Sequence, residues 1–198
     1  MTSRSFSTAT GVRVPAVTAE QMREVDRVAI EEVGPNLYQM MENAGRNLAL
    51  TVLDTLGPAW GRTPISVLSG TGGNGGGGIC AARHLANRGA DVTVLVSDPA
   101  RLGSVPSKQL EIYRGTEGKV VDAANLEISR PGLIVDAVIG YSLSGAPRGI
   151  AREMIDWIGT QSVPVISLDV PSGIDASSGD NPGAHDRATD TPGSYTKL

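Results

Sequence analysis

The chain of 198 residues has one cysteine, Cys80. A single thiol forms no internal disulfide and builds no thiolate cage for a metal. A reducing cytosol is therefore the expected compartment. The sequence also lacks any apolar run near the roughly 20 residues that a bilayer span needs, so no membrane association is expected. It lacks an excess of positive charge. Lys and Arg number 17 against 21 Asp and Glu, giving a net charge of −4 and a pI near 5.2. That balance offers no basic footprint for nucleic acid or an anionic membrane. Histidine is scarce, with only His84 and His185, and Ser172 has no evident histidine partner. A Ser-His-Asp hydrolase is accordingly a weak reading.

What is present is a soluble globular composition, 40% apolar and 19% charged, long enough for one domain with a real core. The opening MTSRSFSTATGVRV has no apolar segment of the signal-peptide kind, and residues 1–15 read as a disordered leader. Thr18-Ala19-Glu20-Gln21 is a capping box that predicts a helix to about Glu32, with Met22, Val25 and Ala29 on its apolar face. Gly34-Pro35 ends it, and a second helix is expected from about Asn36 to Thr55.

From there strands and helices alternate. Strands are predicted at Ile65–Leu68, Val92–Val96, Lys119–Val121, Leu133–Asp136 and Val163–Val170. Helices are predicted from about Gly78 to Arg88, Ser104 to Gly115 and Gly149 to Ile158. This alternation predicts an α/β fold, a Rossmann-like doubly wound three-layer α-β-α sandwich with a mostly parallel sheet. The core domain is placed at residues 16–180. Residues 181–198 have no period and read as loop or tail.

Three segments carry chemistry. The first is a glycine-rich stretch, Gly70-Thr71-Gly72-Gly73-Asn74-Gly75-Gly76-Gly77-Gly78, between a predicted strand and a predicted helix. Glycines there admit close approach of backbone N–H groups to a ligand, and the helix N-terminus adds partial positive charge. No Gly-Lys-Ser/Thr closes the stretch, which excludes a Walker A loop, and a dinucleotide fingerprint is nearly automatic in so many glycines. The other two are strand ends. Ile134-Val135-Asp136-Ala137 runs into a loop from Gly140 to Gly149, and Leu168-Asp169-Val170-Pro171-Ser172-Gly173 repeats the pattern. In a parallel sheet these ends share one edge, where ligands bind. Asn74, Asp136 and Ser172 together offer hard oxygen ligands suited to an alkali or alkaline-earth cation and poor for zinc. His84 reads as a structural histidine, and Met40-Met41 as core.

Together with Gln39-Met40-Met41-Glu42-Asn43-Ala44-Gly45, these segments resemble the NAD(P)H-hydrate epimerase family, the YjeF N-terminal domain. The resemblance spans roughly residues 18 to 180. It implies an isomerase of metabolite repair that interconverts the R and S forms of hydrated NADH and NADPH at nicotinamide C6, followed by a separate NAD(P)H-hydrate dehydratase. It implies a potassium ion held by Asn74, Asp136 and Ser172. It also implies a nucleotide bound by Gly73, Asn74, Gly75, Gly76 and Gly77 together with Gly140, Tyr141, Ser142, Leu143, Ser144, Gly145 and Ala146. Asp169 becomes the catalytic acid/base against the reacting ring, and a cytoplasmic homodimer is implied. Two positions depart from the family: Gly73 stands where it usually has Asn, and Gly77 where it has Asp. The alternative is a non-catalytic nucleotide-binding or scaffold module of the same fold, of the kind found in an RNA-decapping scaffold.

Overall fold

The computed structural model describes residues 5–7, 10–15 and 17–185. Within the segment read as a leader, β1 (Ser5–Ser7) pairs antiparallel with β2 (Arg13–Pro15). Such a two-stranded ribbon is marginal in isolation. The last thirteen residues of the expected tail lie outside the described residues.

The first helix, α1 (Ala19–Val28), starts at the predicted capping box: Thr18 Oγ1 accepts from the Gln21 N–H at 3.2 Å, and Gln21 Oε1 accepts from the Thr18 N–H at 2.8 Å. A π-helical turn, Ala29–Val33, continues it to Gly34, whose φ of 117° closes the segment in the left-handed region. The expected apolar face of α1 is not buried. None of its residues is, and Val25 is 51% exposed. The second helix, α2 (Leu37–Leu56), begins with a further capping box, Asn36 with Gln39.

The main sheet consists of β3 (Ile65–Ser69), β4 (Val92–Val96), β5 (Lys119–Asp122), β6 (Leu133–Ala137) and β7 (Val165–Ser167), all parallel, in the order β5-β4-β3-β6-β7. The helices between them are α3 (Gly73–Ala86), α4 (Ser104–Tyr113) and α5 (Gly149–Thr160). One face of the sheet packs Val67, Val94 and Val135 against Leu48 and Val52 of α2, Ile79 and Leu85 of α3, and Tyr113 of α4. The other packs Leu68, Leu95 and Ile134 against Met154, Ile155 and Ile158 of α5. Each fully buried aliphatic side chain contributes about 1.5–3 kcal/mol. The result is the three-layer α-β-α arrangement that the alternating sequence predicts.

Two expectations are corrected. Helix α3 starts at Gly73, not Gly78, so its first six residues include five of the glycines. Glycine costs about 0.8–1 kcal/mol per helical position relative to alanine, which is why propensity placed the start later. Tertiary packing overrides it. Strand β7 is also shorter than Val163–Val170, because the chain turns out of the sheet before Asp169, whose φ is +74°.

Strand order reverses at β3: the chain steps outward to β4 and β5 on one side, then crosses back to β6 and β7 on the other. The register aligns Leu68 with Asp136 and Ser69 with Ala137 there, and Asp136 with Ser167 on the next strand. The glycine segment and both aspartate-bearing ends therefore open onto the crevice where doubly wound sheets bind ligands.

Candidate functional site

Asp136 sits on β6 with no exposed surface. Its Oδ1 accepts from the Val138 N–H at 3.1 Å and the Ser172 hydroxyl at 2.6 Å; its Oδ2 accepts from the Ser172 N–H at 2.8 Å. Burial pushes its carboxyl up from the ordinary aspartate value, against the hydrogen bonds of Ser172. Among the described residues no ion pair includes it. Ser172 Oγ also accepts from the Ile139 N–H at 2.8 Å and lies 3.0 Å from the Ile139 carbonyl oxygen. Asp136 and Ser172 thus lock the end of β6 to the turn after β7, as a buried carboxyl group surrounded by oxygen atoms and N–H dipoles.

The second cluster adjoins the first through Gly140. The Asn74 amide, oriented so that its oxygen meets a donor and its nitrogen an acceptor, donates to the Leu168 carbonyl at 3.3 Å and accepts from the Gly140 N–H at 3.3 Å. Asp169 Oδ2 accepts from the Tyr141 N–H at 2.8 Å. A Cβ at Gly140 would lie 2.6 Å from Asp169 Oδ2 and 3.1 Å from the Asn74 amide, so only glycine lets the chain pass between them. Asp169 is the one non-glycine residue with positive φ among the described residues. Aspartate tolerates that region better than most residues, and strain held there is common at functional sites.

The predicted nucleotide-binding residues divide. Asn74, Gly73 and Gly77 line a narrow, mostly apolar cavity of about 80 Å³ together with Asp26, Leu37, Met40, Met41, Ala44 and Leu168. Gly75 and Gly76 are buried in the packing of α3 and do not line it. No glycine from Gly70 to Gly78 has positive φ. Their absence of side chains serves close approach: a Cβ at Gly75 would lie 1.9 Å from the Gly70 carbonyl oxygen, and one at Gly78 2.5 Å from Ala137 Cβ. Ser142, Ser144, Gly145 and Ala146 are exposed. Ala146 borders a different cavity of about 620 Å³, shared with Arg152, Asp156 and His185.

Sequence reasoning missed Asp26, which has no local signature and reaches the cavity from α1. It also took Met40 and Met41 for core. Met41 is buried, but both line the cavity.

His84 is structural, as expected. Its Nε2 lies 2.8 Å from Glu42 Oε1, while Arg83 donates to Glu42 Oε2 at 2.5 Å and to Cys80 Sγ at 3.4 Å. Glu42, Cys80 and His84 are close enough together to hold a metal, but the Arg83 guanidinium already occupies that centre. Burial, then the Glu42 charge, push the Cys80 thiol up to about 12, so it is no thiolate. The group fastens α2 to α3.

The chain is similar to known proteins over nearly its whole length. Residues 37–191 match the family described as YjeF-related protein N-terminus. A Dehalogenimonas lykanthroporepellens protein named NAD(P)H-hydrate epimerase is 48% identical over 186 residues, covering 94% of this chain and 76% of the relative. A Salinibacter ruber protein named bifunctional NAD(P)H-hydrate repair enzyme Nnr is 35% identical over 83% of this chain, which spans only 33% of that longer protein. The crystal structure of the yeast protein YNL200c shares the fold, with a TM-score of 0.75 at 22% identity, covering 91% of this chain and 77% of the yeast chain. Fold, sheet-edge crevice and sequence agree: the chain belongs to the YjeF-related N-terminal family.

Proposed function

We propose that this chain is an epimerase that interconverts the R and S forms of hydrated NADH and NADPH at nicotinamide C6. The observation that carries this reading is the 48% identity, across 94% of the chain, to a relative named for that activity. The crevice supports it. Asp169 is held by the Tyr141 amide and follows Leu168, which lines a largely apolar cavity; a carboxyl group in such surroundings can exchange a proton with a bound ring.

The chemistry needs one proton to be given and taken back. In the hydrated ring, C6 bears a hydroxyl and is bonded to the ring nitrogen. Protonation of that hydroxyl lets it leave as water while the nitrogen lone pair forms a C=N bond, so C6 becomes planar. Water then adds to the opposite face and gives up a proton. Asp169 is the group we assign to this proton. The N-terminal amides of α3 and the loop from Gly140 to Ala146 would hold the nucleotide's phosphates and sugars.

Asn74, Asp136 and Ser172 suit a potassium ion. The buried Asp136 carboxylate has no cationic neighbour among the ion pairs described, and the surrounding donors are hard oxygens. The ion would supply the missing positive charge beneath the phosphate-binding edge. We further assign the protein to the cytoplasm, as a homodimer that feeds a separate NAD(P)H-hydrate dehydratase. Among the described residues no helix is long and apolar enough to cross a membrane.

A coupled repair assay tests the activity. Purified protein is added to the slow epimer of hydrated NADH with potassium and a dehydratase. Repair faster than the spontaneous rate is expected. Repair at the spontaneous rate would favour the scaffold reading, for which the missing carboxylate at Gly77 is the motivating feature.

A further inference from the structure

The cavity beside Asp169 has one wall that packing does not explain. Helix α1 buries none of its residues, so the hydrophobic effect does little to hold it in place. Its Arg27 ion pairs, with Glu24, Glu31 and Glu32, are exposed and stay within α1 and the turn that follows; such pairs contribute little. Long-range hydrogen bonds among the described residues tie α1 to the rest of the fold. The Ala19 N–H donates to Ser177 Oγ at 2.9 Å, and the Tyr141 hydroxyl donates to Asp26 Oδ2 at 2.6 Å.

The second bond stands out on three counts. It is short, as charge-assisted bonds are. Asp26 lines the cavity directly. Tyr141 also holds Asp169, the chain neighbour of the cavity-lining Leu168, through its backbone N–H, so one residue joins both carboxylates. Burial, followed by the Asp26 hydrogen bond, pushes the Tyr141 phenol up from its ordinary value; the phenol stays protonated and able to donate. The cavity, at about 80 Å³, is far smaller than the roughly 300 Å³ or more of an ordinary ligand pocket. Some boundary must give way when a dinucleotide enters, and α1 is the lining helix with no buried residue.

We infer that Asp26 and Tyr141 form a latch that seats α1 as a wall of the substrate cavity, which makes Asp26 a positioning residue. This rests on the epimerase reading of the cavity. Tyr141→Phe removes only the hydroxyl and leaves the amide that holds Asp169. It is expected to raise KM for hydrated NADH about tenfold, the equivalent of one charge-assisted hydrogen bond. Amide hydrogen exchange across residues 19–28 should speed up in the free protein. Asp26→Ala should match it, while Asp26→Asn, which keeps an acceptor, should recover most of the loss.

Unchanged KM and unchanged exchange in Tyr141→Phe would overturn the latch. A loss confined to kcat would also overturn it, by placing the phenol in the chemistry. If the wild type itself fails to interconvert the epimers, the epimerase reading falls, and exchange in 19–28 still decides whether the latch exists.

Discussion

The two ends of one glycine stretch make different demands on the same residue type. At Gly75 and Gly78 a side chain would run into backbone or tightly packed core, at 1.9 Å from the Gly70 carbonyl oxygen and 2.5 Å from Ala137 Cβ. At Gly72 and Gly73 a Cβ would meet nothing within 4 Å. Gly77 lies between these cases: its Cβ would meet only Leu168 Cδ2, at 2.7 Å, the end of a flexible side chain. A run of glycines that reads as one ligand loop is therefore a helix start pressed against the sheet, with an open front edge facing the cleft. Packing requires glycine at Gly70, where a Cβ would lie 2.0 Å from the Val138 carbonyl oxygen, and at Gly75 and Gly78, whereas Gly72 and Gly73 are free to vary toward a ligand.

Substitution should separate these roles in order. Gly75→Ala is expected to have the largest effect, a loss of about 3–5 kcal/mol in urea unfolding or no soluble protein, because backbone must move. Gly77→Ala should cost about 1 kcal/mol, since Leu168 can turn aside and alanine is the better helix former. It should also narrow the cavity and weaken dinucleotide binding. Gly73→Ala should be neutral or stabilising by about 0.5 kcal/mol. Equal losses at all three positions would break the distinction. A large loss at Gly73 would do so as well.

The same contrast marks how far the sequence could be read. Features that depend on neighbours in the chain were legible: the capping box at Thr18, the five strands, and the aspartates at the ends of β6 and β7. The convergence of Asp136 with Ser172 followed from parallel topology alone. Features set by distant packing were not. Helical glycines at Gly73–Gly78 contradict propensity and are explained only by what lies beside them. The early end of β7 follows from the turn at Asp169. Asp26 meets Tyr141 across 115 residues of sequence, and α1 carries an amphipathic pattern that wrongly suggested a buried face.

Asp169 is proposed as the proton-handling carboxylate of an epimerase. The most direct measurement follows a single purified epimer of hydrated NADH by chromatography, with wild type and Asp169→Asn side by side, and titrates ligand binding in both. Rapid interconversion is expected of the wild type, with binding retained and interconversion abolished in Asp169→Asn. Full activity in Asp169→Asn would contradict that assignment.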